Sequence, residues 1–129
     1  METIFTKIIK REIPASIVYE DEESIAFLDI NPVSKGHTLL ITKEPYKWMT
    51  DVPEELIARM FIKTKKMMEH MKKQLPCDFV QIGIVGNEVP HFHIHLIPRK
   101  LDEGVTQTNR PHDPYESKEE MEMYAQKLK

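Results

Sequence analysis

Residues 91–97 read His-Phe-His-Ile-His-Leu-Ile, so three histidines alternate with apolar residues. In an extended strand, successive side chains point to opposite faces. One face would carry His91, His93 and His95, and the other would carry apolar residues that favour strands and a core. The segment holds half of the six histidines of the chain. It therefore predicts a strand with one buried face and one polar face that serves another purpose.

The rest of the chain predicts an α+β domain. The apolar spacing indicates a short amphipathic helix over 3–11 and a long helix from Pro53 to about residue 75. Strands are predicted at 16–19, 24–28, 37–42, 78–85 and 91–97. The first three form an antiparallel meander whose hairpin tip, 20–23, is acidic and solvated. Segment 78–85 is expected to be a central strand in which Gly83 permits a close approach, and Pro98 is expected to end the histidine strand.

The C-terminal part predicts a long polar loop at 99–116 and a helix over 117–129 that begins with the capping pattern Ser117-x-x-Glu120. A run of this length without periodicity in a small domain is usually functional. Four basic or imidazole side chains make it a candidate phosphate-facing element: Arg99, Lys100, Arg110 and His112.

Length and composition predict one domain, 1–129, and exclude several classes of function. The formal net charge of −3 gives no general attraction to nucleic acid or anionic lipid. The single cysteine, Cys77, cannot form an internal disulfide, which favours a cytoplasmic setting. Neither a signal peptide nor a membrane span is expected. The lysines of the long helix are expected to form a solvated face.

Three uses of the histidine face are open from spacing alone. The imidazoles could be structural, but burying three of them together requires a hydrogen bond for each. They could bind a metal ion, although His91 and His95 would lie roughly 13 Å apart on a strand that rises about 3.3 Å per residue. In the third use, one imidazole attacks an electrophile while its neighbours donate hydrogen bonds and protons.

A phosphorus centre suits such a row better than an acyl or glycosyl centre. The sequence shows no nucleophile elbow and no motif that places a pair of carboxylates. In phosphoryl-type transfer the protein mainly positions groups and stabilises charge on the phosphate oxygens. Imidazole protons and the backbone N–H groups near Gly86 could do this without a metal.

Several segments besides the histidine row resemble the histidine triad (HIT) family, in particular its Hint-like branch. The resemblance spans residues 3–98, and 99–129 is loosely similar to the Fhit-like branch. Its motifs are Thr3-Ile4-Phe5-x-Lys7-Ile8-Ile9, Glu12-Ile13-Pro14, the run 26–32 (Ala-Phe-Leu-Asp-Ile-Asn-Pro), Gly36-His37-Thr38-Leu39, and His-φ-His-φ-His-φ-φ at 91–97.

The resemblance implies a HIT-like α+β fold with a five-stranded antiparallel sheet and packed helices, and a homodimer. It also implies hydrolysis or transfer of nucleoside monophosphates. The substrates would be AMP-containing purine nucleotides, either nucleoside phosphoramidates or dinucleoside polyphosphates. No cofactor and no metal are implied.

By position, the resemblance makes His93 the nucleophile that attacks the α-phosphate and forms a nucleotidyl-histidine. His95 would bind the phosphate and assist the leaving group, while His91 and His37 would orient the site. Asp29 would hold the ribose hydroxyls. Further nucleotide-binding positions would be Ile4, Phe5, Ile8, Phe27, Leu28, Ile30, Asn87 and Val89.

The chain departs from the family pattern in two places. Many bacterial relatives bind zinc through Cys-x-x-Cys near the start, where this chain has Thr3 and Thr6, so a structural zinc is not expected. The loop before the triad, 84–90, is shorter than in many relatives, and Glu88 stands near the expected phosphate. A nucleotide-binding regulatory module with vestigial catalysis is therefore an alternative. A metalloenzyme that uses His91 or His93 with His37 is a third reading.

Overall fold

The computed structural model describes residues 2–86, 88–103 and 112–129. Three α-helices are present in this part of the chain: α1 (Ile4–Ile9), α2 (Glu54–Gln74) and α3 (Lys118–Leu128). Five strands accompany them: β1 (Ile17–Glu20), β2 (Ser24–Leu28), β3 (Thr38–Thr42), β4 (Phe79–Gly83) and β5 (His93–Arg99). Two single turns of 3₁₀ helix lie at Met49–Asp51 and Leu101–Glu103.

The strands form one antiparallel sheet in the order β1-β2-β3-β5-β4, which confirms the predicted fold class and the meander of the first three strands. Strand β5 lies between β3 and β4, with His95 opposite Leu39 on one side and Gly83 on the other. The histidine strand is therefore second from the β4 edge of the sheet, next to the strand that follows His37.

The two faces of the sheet bury different cores. Helices α2 and α3 pack on the face that carries Phe92, Ile94 and Leu96, and these side chains are at most 2% exposed. Helix α1 packs on part of the opposite face, over Phe27 and its neighbours Ile25, Leu39 and Ile41. Because residues opposite one another share a face, the side chains of His93 and His95 lie on the α1 side.

Helix α1 begins with a reciprocal threonine cap. The Thr3 hydroxyl accepts hydrogen bonds from the backbone N–H groups of Phe5 and Thr6, at 3.1 and 3.3 Å. The Thr6 hydroxyl accepts from Thr3 N at 2.7 Å and donates to Thr3 O at 2.8 Å. Thr3 and Thr6 therefore satisfy free backbone groups of the first helical turn.

The acidic hairpin tip is more constrained than the sequence suggested. Asp21 and Glu23 both bind Lys63 of α2, at 2.9 and 2.8 Å, and Glu23 also binds Arg59. These contacts tie the β1–β2 hairpin to the helix that covers the other end of the sheet. Lys63 thus departs from the predicted solvated lysine face, since only 16% of its side chain is exposed.

Three details of the predicted strands were wrong. Strand β4 lies at the sheet edge, and a Cβ at Gly83 would meet no atom within 4 Å, so this glycine does not serve a close approach. Strand β5 continues through Pro98 to Arg99, because the ladder with β3 ends at Leu96 and a proline is tolerated beyond it. His91 precedes β5, which begins at His93.

Part of the predicted 99–116 loop, residues 104–111, lies outside the described residues. Before it, Arg99 is 2% exposed and binds Glu103 at 2.8 Å and Gln81 at 3.1 Å, so its guanidinium is engaged within the fold. After it, Ser117 caps α3 as predicted by accepting from Glu120 N at 3.0 Å. No helix in the described part of the chain is long and apolar enough to cross a membrane.

Candidate active site

One ring nitrogen of His93, Nε2, has a free lone pair. Its Nδ1 atom lies 2.7 Å from the backbone oxygen of His91. A carbonyl oxygen only accepts, so the neutral ring must carry its proton on Nδ1 and leave Nε2 unprotonated. The ring is held edge-on to Phe5 of α1, at 5.0 Å between centroids, and is 3% exposed. The backbone thus sets the tautomer that a nitrogen nucleophile requires.

His95 presents the complementary group, a ring N–H. The backbone N–H of Val33 donates to Nδ1 of His37 at 3.0 Å, so the proton of the neutral His37 ring lies on Nε2. That Nε2 atom is 2.9 Å from Nδ1 of His95 and donates to it. The proton of the neutral His95 ring is consequently on its own Nε2. One lone pair on His93 and one N–H on His95 stand on adjacent rings, 5.0 Å apart.

His91 supports the site from outside the strand. Its Nε2 atom donates to the backbone oxygen of Thr42 at 2.6 Å, and its ring is fully buried beside Phe5. The Nδ1 atom of His91 has no hydrogen-bond partner within the described residues. His91 therefore fixes the carbonyl that orients His93 and does not itself reach the open side of the site.

Burial favours the neutral forms of His37, His95 and His91. It lowers the pKa of His37 to about 3, with further lowering from the charges of His95 and His112. Burial likewise lowers the pKa of His95 to about 4, reinforced by His93, and lowers the pKa of His91. Several neighbouring imidazoles cannot all be charged at once. The tautomers inferred from the hydrogen bonds are those of the neutral rings.

Asp29 follows β2 and faces the same site. Its Oδ1 atom accepts from Asn31 N at 2.9 Å, while Oδ2 lies 3.7 Å from Nε2 of His37. Burial raises the pKa of the Asp29 carboxyl, although the Asn31 N–H opposes this shift. Oδ2 of Asp29 can accept a hydrogen bond from a ligand hydroxyl.

The structure packs four of the eight further residues expected around the nucleotide into one cluster. Phe5, Ile8 and Phe27 are at most 6% exposed within the α1 core, and Val89 packs against them. Ile4 and Ile30, at 48% and 78% exposure, lie at the surface. Leu28 belongs to the core on the opposite face of the sheet, because alternation along β2 turns it away from Phe27. Asn87 lies outside the described residues.

Among the described residues, Asp29, His37 and His95 offer ligand atoms that lie within 4.8 Å of one another, as a metal ion would require. The donor chemistry does not suit a metal. His37 would have to bind through Nε2, but that atom carries the ring proton because Val33 N–H occupies Nδ1. A metal there would leave the Val33 N–H facing a protonated nitrogen. This group differs from the sequence-based pairing of His37 with His91 or His93.

Sequence reasoning missed two contributors. Val33 acts through its backbone N–H, for which no side-chain pattern exists. Trp48, the only tryptophan of the chain, lines a cavity beside His93, and an exposed tryptophan between a strand and a helix could have drawn attention. His112 donates to the Asn31 oxygen at 2.7 Å, which places this residue of the C-terminal segment at the Asp29 end of the site.

The α+β fold and the row of buried imidazoles, whose orientation is set by backbone hydrogen bonds, define a histidine triad protein. The chain belongs to the HIT family, since the model described as HIT domain matches residues 10–102. It is 44% identical over 106 residues to an uncharacterized HIT-like protein of Methanocaldococcus jannaschii, covering 78% of this chain and 81% of that protein.

Two further comparisons extend over nearly the whole chain. An adenosine 5'-monophosphoramidase of Schizosaccharomyces pombe is 35% identical over 133 aligned residues and is covered completely, as is this chain. A zinc-bound histidine triad family protein of Mycobacterium smegmatis superimposes with a TM-score of 0.84 at 30% identity, covering 99% of this chain and 91% of that one.

Proposed function

We propose that this protein cleaves or transfers nucleoside monophosphates at the α-phosphate through a nucleotidyl-His93 intermediate. The observation that carries the proposal is the Nδ1–H of His93 bound to the His91 oxygen at 2.7 Å, which leaves Nε2 free to attack. The name of the Schizosaccharomyces pombe relative, adenosine 5'-monophosphoramidase, supports AMP-containing purine nucleotides as substrates.

In the proposed reaction, Nε2 of His93 bonds to phosphorus and the bond to the leaving group breaks, with its electron pair going to the leaving atom. The Nε2–H of the neutral His95 ring donates to a water molecule that gives a proton to the leaving atom, so the leaving group departs protonated and a hydroxide ion remains. His95 stays neutral throughout, because a second proton on its Nδ1 would face the Nε2–H of His37. The hydroxide ion then attacks phosphorus and the P–N bond to His93 breaks, which releases AMP and restores the lone pair on Nε2.

The nucleoside would lie toward α1. Asp29 would accept hydrogen bonds from the ribose hydroxyls, with Phe5, Ile8, Phe27 and the more exposed Ile4 and Ile30 as candidate base contacts. The position of Phe5, Ile8 and Phe27 on the histidine face, on the β2 side of β5, supports this direction. His37 and His91 would act as positioning residues, since each holds another group of the site in place.

A homodimer and a cytoplasmic location belong to the same proposal. Strand β4 is a sheet edge, and Phe79, Ile82 and Ile84 on or beside it are 37–39% exposed. An apolar edge of this kind suits a second copy of the chain. Light scattering coupled to size-exclusion chromatography distinguishes a dimer from a monomer.

The test of the reaction uses adenosine 5'-phosphoromorpholidate and a diadenosine polyphosphate in EDTA. We expect turnover by the wild type, no turnover by His93→Ala, and unchanged turnover by Ile62→Ala, a substitution at an exposed position of α2. Wild-type protein denatured at alkaline pH during turnover should carry the added mass of one adenylyl group, because a P–N bond to imidazole survives in base and hydrolyses in acid. Full turnover by a folded His93→Ala would refute the role of His93. AMP binding without turnover of either compound would favour the binding module.

A further inference from the structure

A cavity lies on the face of the sheet that α2 and α3 cover, away from the histidines. Its volume is about 420 Å³, and it is enclosed by the flank of α2 from Arg59 to Met71, by Val18 and Tyr19 of β1, and by the end of α3. It reaches the sheet at Thr38, which is 2% exposed. Small-molecule sites commonly have volumes of about 300–1,000 Å³. The cavity is therefore deep and large enough to hold a ligand.

The interior of this cavity is apolar. Val18, Ile62 and Leu128 contribute aliphatic side chains to it, and Met67 and Met71 contribute thioethers. Met71 is buried, Met67 is half-buried and Ile62 is exposed, so the walls extend from the core to the surface. Methionine side chains are unbranched and adapt to irregular shapes. Such walls suit an elongated hydrocarbon chain.

The mouth of this cavity is cationic. Four residues of α2 contribute to it, at spacings of three or four that place them on one flank of the helix: Arg59, Lys63, Lys66 and His70. Among the described residues, no carboxylate side chain lines the cavity. Arg59 and Lys63 are neutralised by carboxylates of the β1–β2 hairpin, and Nε2 of His70 donates to the backbone oxygen of Lys129 at 3.1 Å. Lys66 is exposed and forms no hydrogen bond or ion pair within the described part of the chain, so its ammonium group is available to an anion.

A second copy of the chain does not suit this cavity. The dimer proposed above would use strand β4, at the opposite edge of the sheet from β1. In a two-fold contact the same surface meets itself, so the cationic mouth would face an identical cationic mouth. An inorganic anion, in turn, would leave the apolar walls uncovered. A ligand that uses both features has a hydrocarbon chain and a negative charge at one end.

We propose that this cavity binds a fatty carboxylate, with its chain between α2 and β1 and its head group beside Lys66. Burial of the chain supplies most of the affinity, since every methylene removed from water contributes, whereas an exposed ion pair contributes little. The site is separate from the active site, because His93 and His95 lie on the α1 side of the sheet. Binding of the carboxylate is therefore independent of the proposed function.

The test titrates the full chain by calorimetry with three probes: decanoate, hexanoate and decyltrimethylammonium. We expect decanoate to bind more tightly than hexanoate by about threefold per added methylene. The ammonium compound, with an equally long chain, should bind at least about fivefold more weakly than decanoate. Lys66→Gln should weaken decanoate binding about two- to fivefold. The matched control is Lys65→Gln, which should leave binding unchanged, because Lys65 pairs with Glu69 at 3.0 Å and does not line the cavity.

Methionine methyl spectra locate the bound ligand. We expect decanoate to shift the Met67 and Met71 signals and to leave unchanged that of Met49, which lines the cavity beside His93. Equal affinities for decanoate and either other probe, equal effects of the two lysine substitutions, or a shift confined to Met49 would each overturn the inference. So would dissociation of an oligomer by decanoate in light scattering, since the cavity would then hold a second copy of the chain.

Discussion

The backbone N–H of Val33 donates to Nδ1 of His37 at 3.0 Å, and this one hydrogen bond determines which ring nitrogen of His95 carries a proton. Both hydrogen bonds run in the same donor-to-acceptor direction, from Val33 to His37 and from His37 to His95, because each neutral imidazole has one donor and one acceptor. The N–H that would face a phosphate is thus controlled by a residue with no polar side chain.

Replacing His37 should change the tautomer of His95. In His37→Phe the His95 Nδ1 atom loses its donor, and losing one buried hydrogen bond costs about 1–3 kcal/mol. We expect kcat/KM to fall about ten- to hundredfold, with the larger part in kcat. Long-range ¹H–¹⁵N spectra should show an Nε2-protonated His95 in the wild type and a mixture in the variant. An unchanged His95 tautomer would contradict the relay from Val33.

Asp29→Asn should weaken the recognition of ribose hydroxyls. A hydrogen bond to a charged group contributes about 1.5–3 kcal/mol, so we expect AMP to bind about tenfold or more weakly. Binding of 2',3'-dideoxy-AMP should change little, since that nucleotide offers no hydroxyl to the carboxylate. Calorimetric titration of the two nucleotides measures the difference. An equal loss for both would show that Asp29 does not contact the sugar.

Replacement by alanine should have different effects at two of the glycines. Gly36 has φ +100, and a Cβ there would lie 2.7 Å from Cδ1 of Leu75, so Gly36→Ala should destabilise the fold by about 1–3 kcal/mol. Gly83→Ala, in open space on the edge strand, should leave the free energy of unfolding within about 0.5 kcal/mol of the wild type. Urea denaturation compares them. Equal effects would contradict the two environments described above.

Acid should destabilise the fold through His37. Its pKa is lowered from 6.5 to about 3, so between these values the unfolded chain binds the proton and the folded chain does not. Stability is therefore complete above about pH 6.5 and decreases as the pH falls through this window, by about 1.4 kcal/mol per pH unit at full slope. Urea titrations from pH 7 to pH 4 should give a shallower slope for His37→Phe. Equal slopes for the wild type and His37→Phe would refute the assignment of this pH dependence to His37.

Much of the site could be predicted from the sequence because its signals are local. Alternation along 91–97 placed His93 and His95 side by side and their apolar neighbours in the opposite core. The helical spacing of 53–75 and the capping residues of α3 were also sufficient. These patterns depend on the fixed geometry of a strand or a helix, which a short segment expresses by itself.

The roles of the imidazoles depended on contacts between distant segments. His37 and His95 are 58 residues apart in the chain and meet because β3 pairs with β5. Val33 reaches His37 through a turn, and Trp48 meets residues 84–86 across the fold. Sequence alone determined that a face of histidines would exist. The tertiary structure decided which nitrogen carries each proton and what surrounds the nucleophile, because strand register and turn conformation are set by non-local packing.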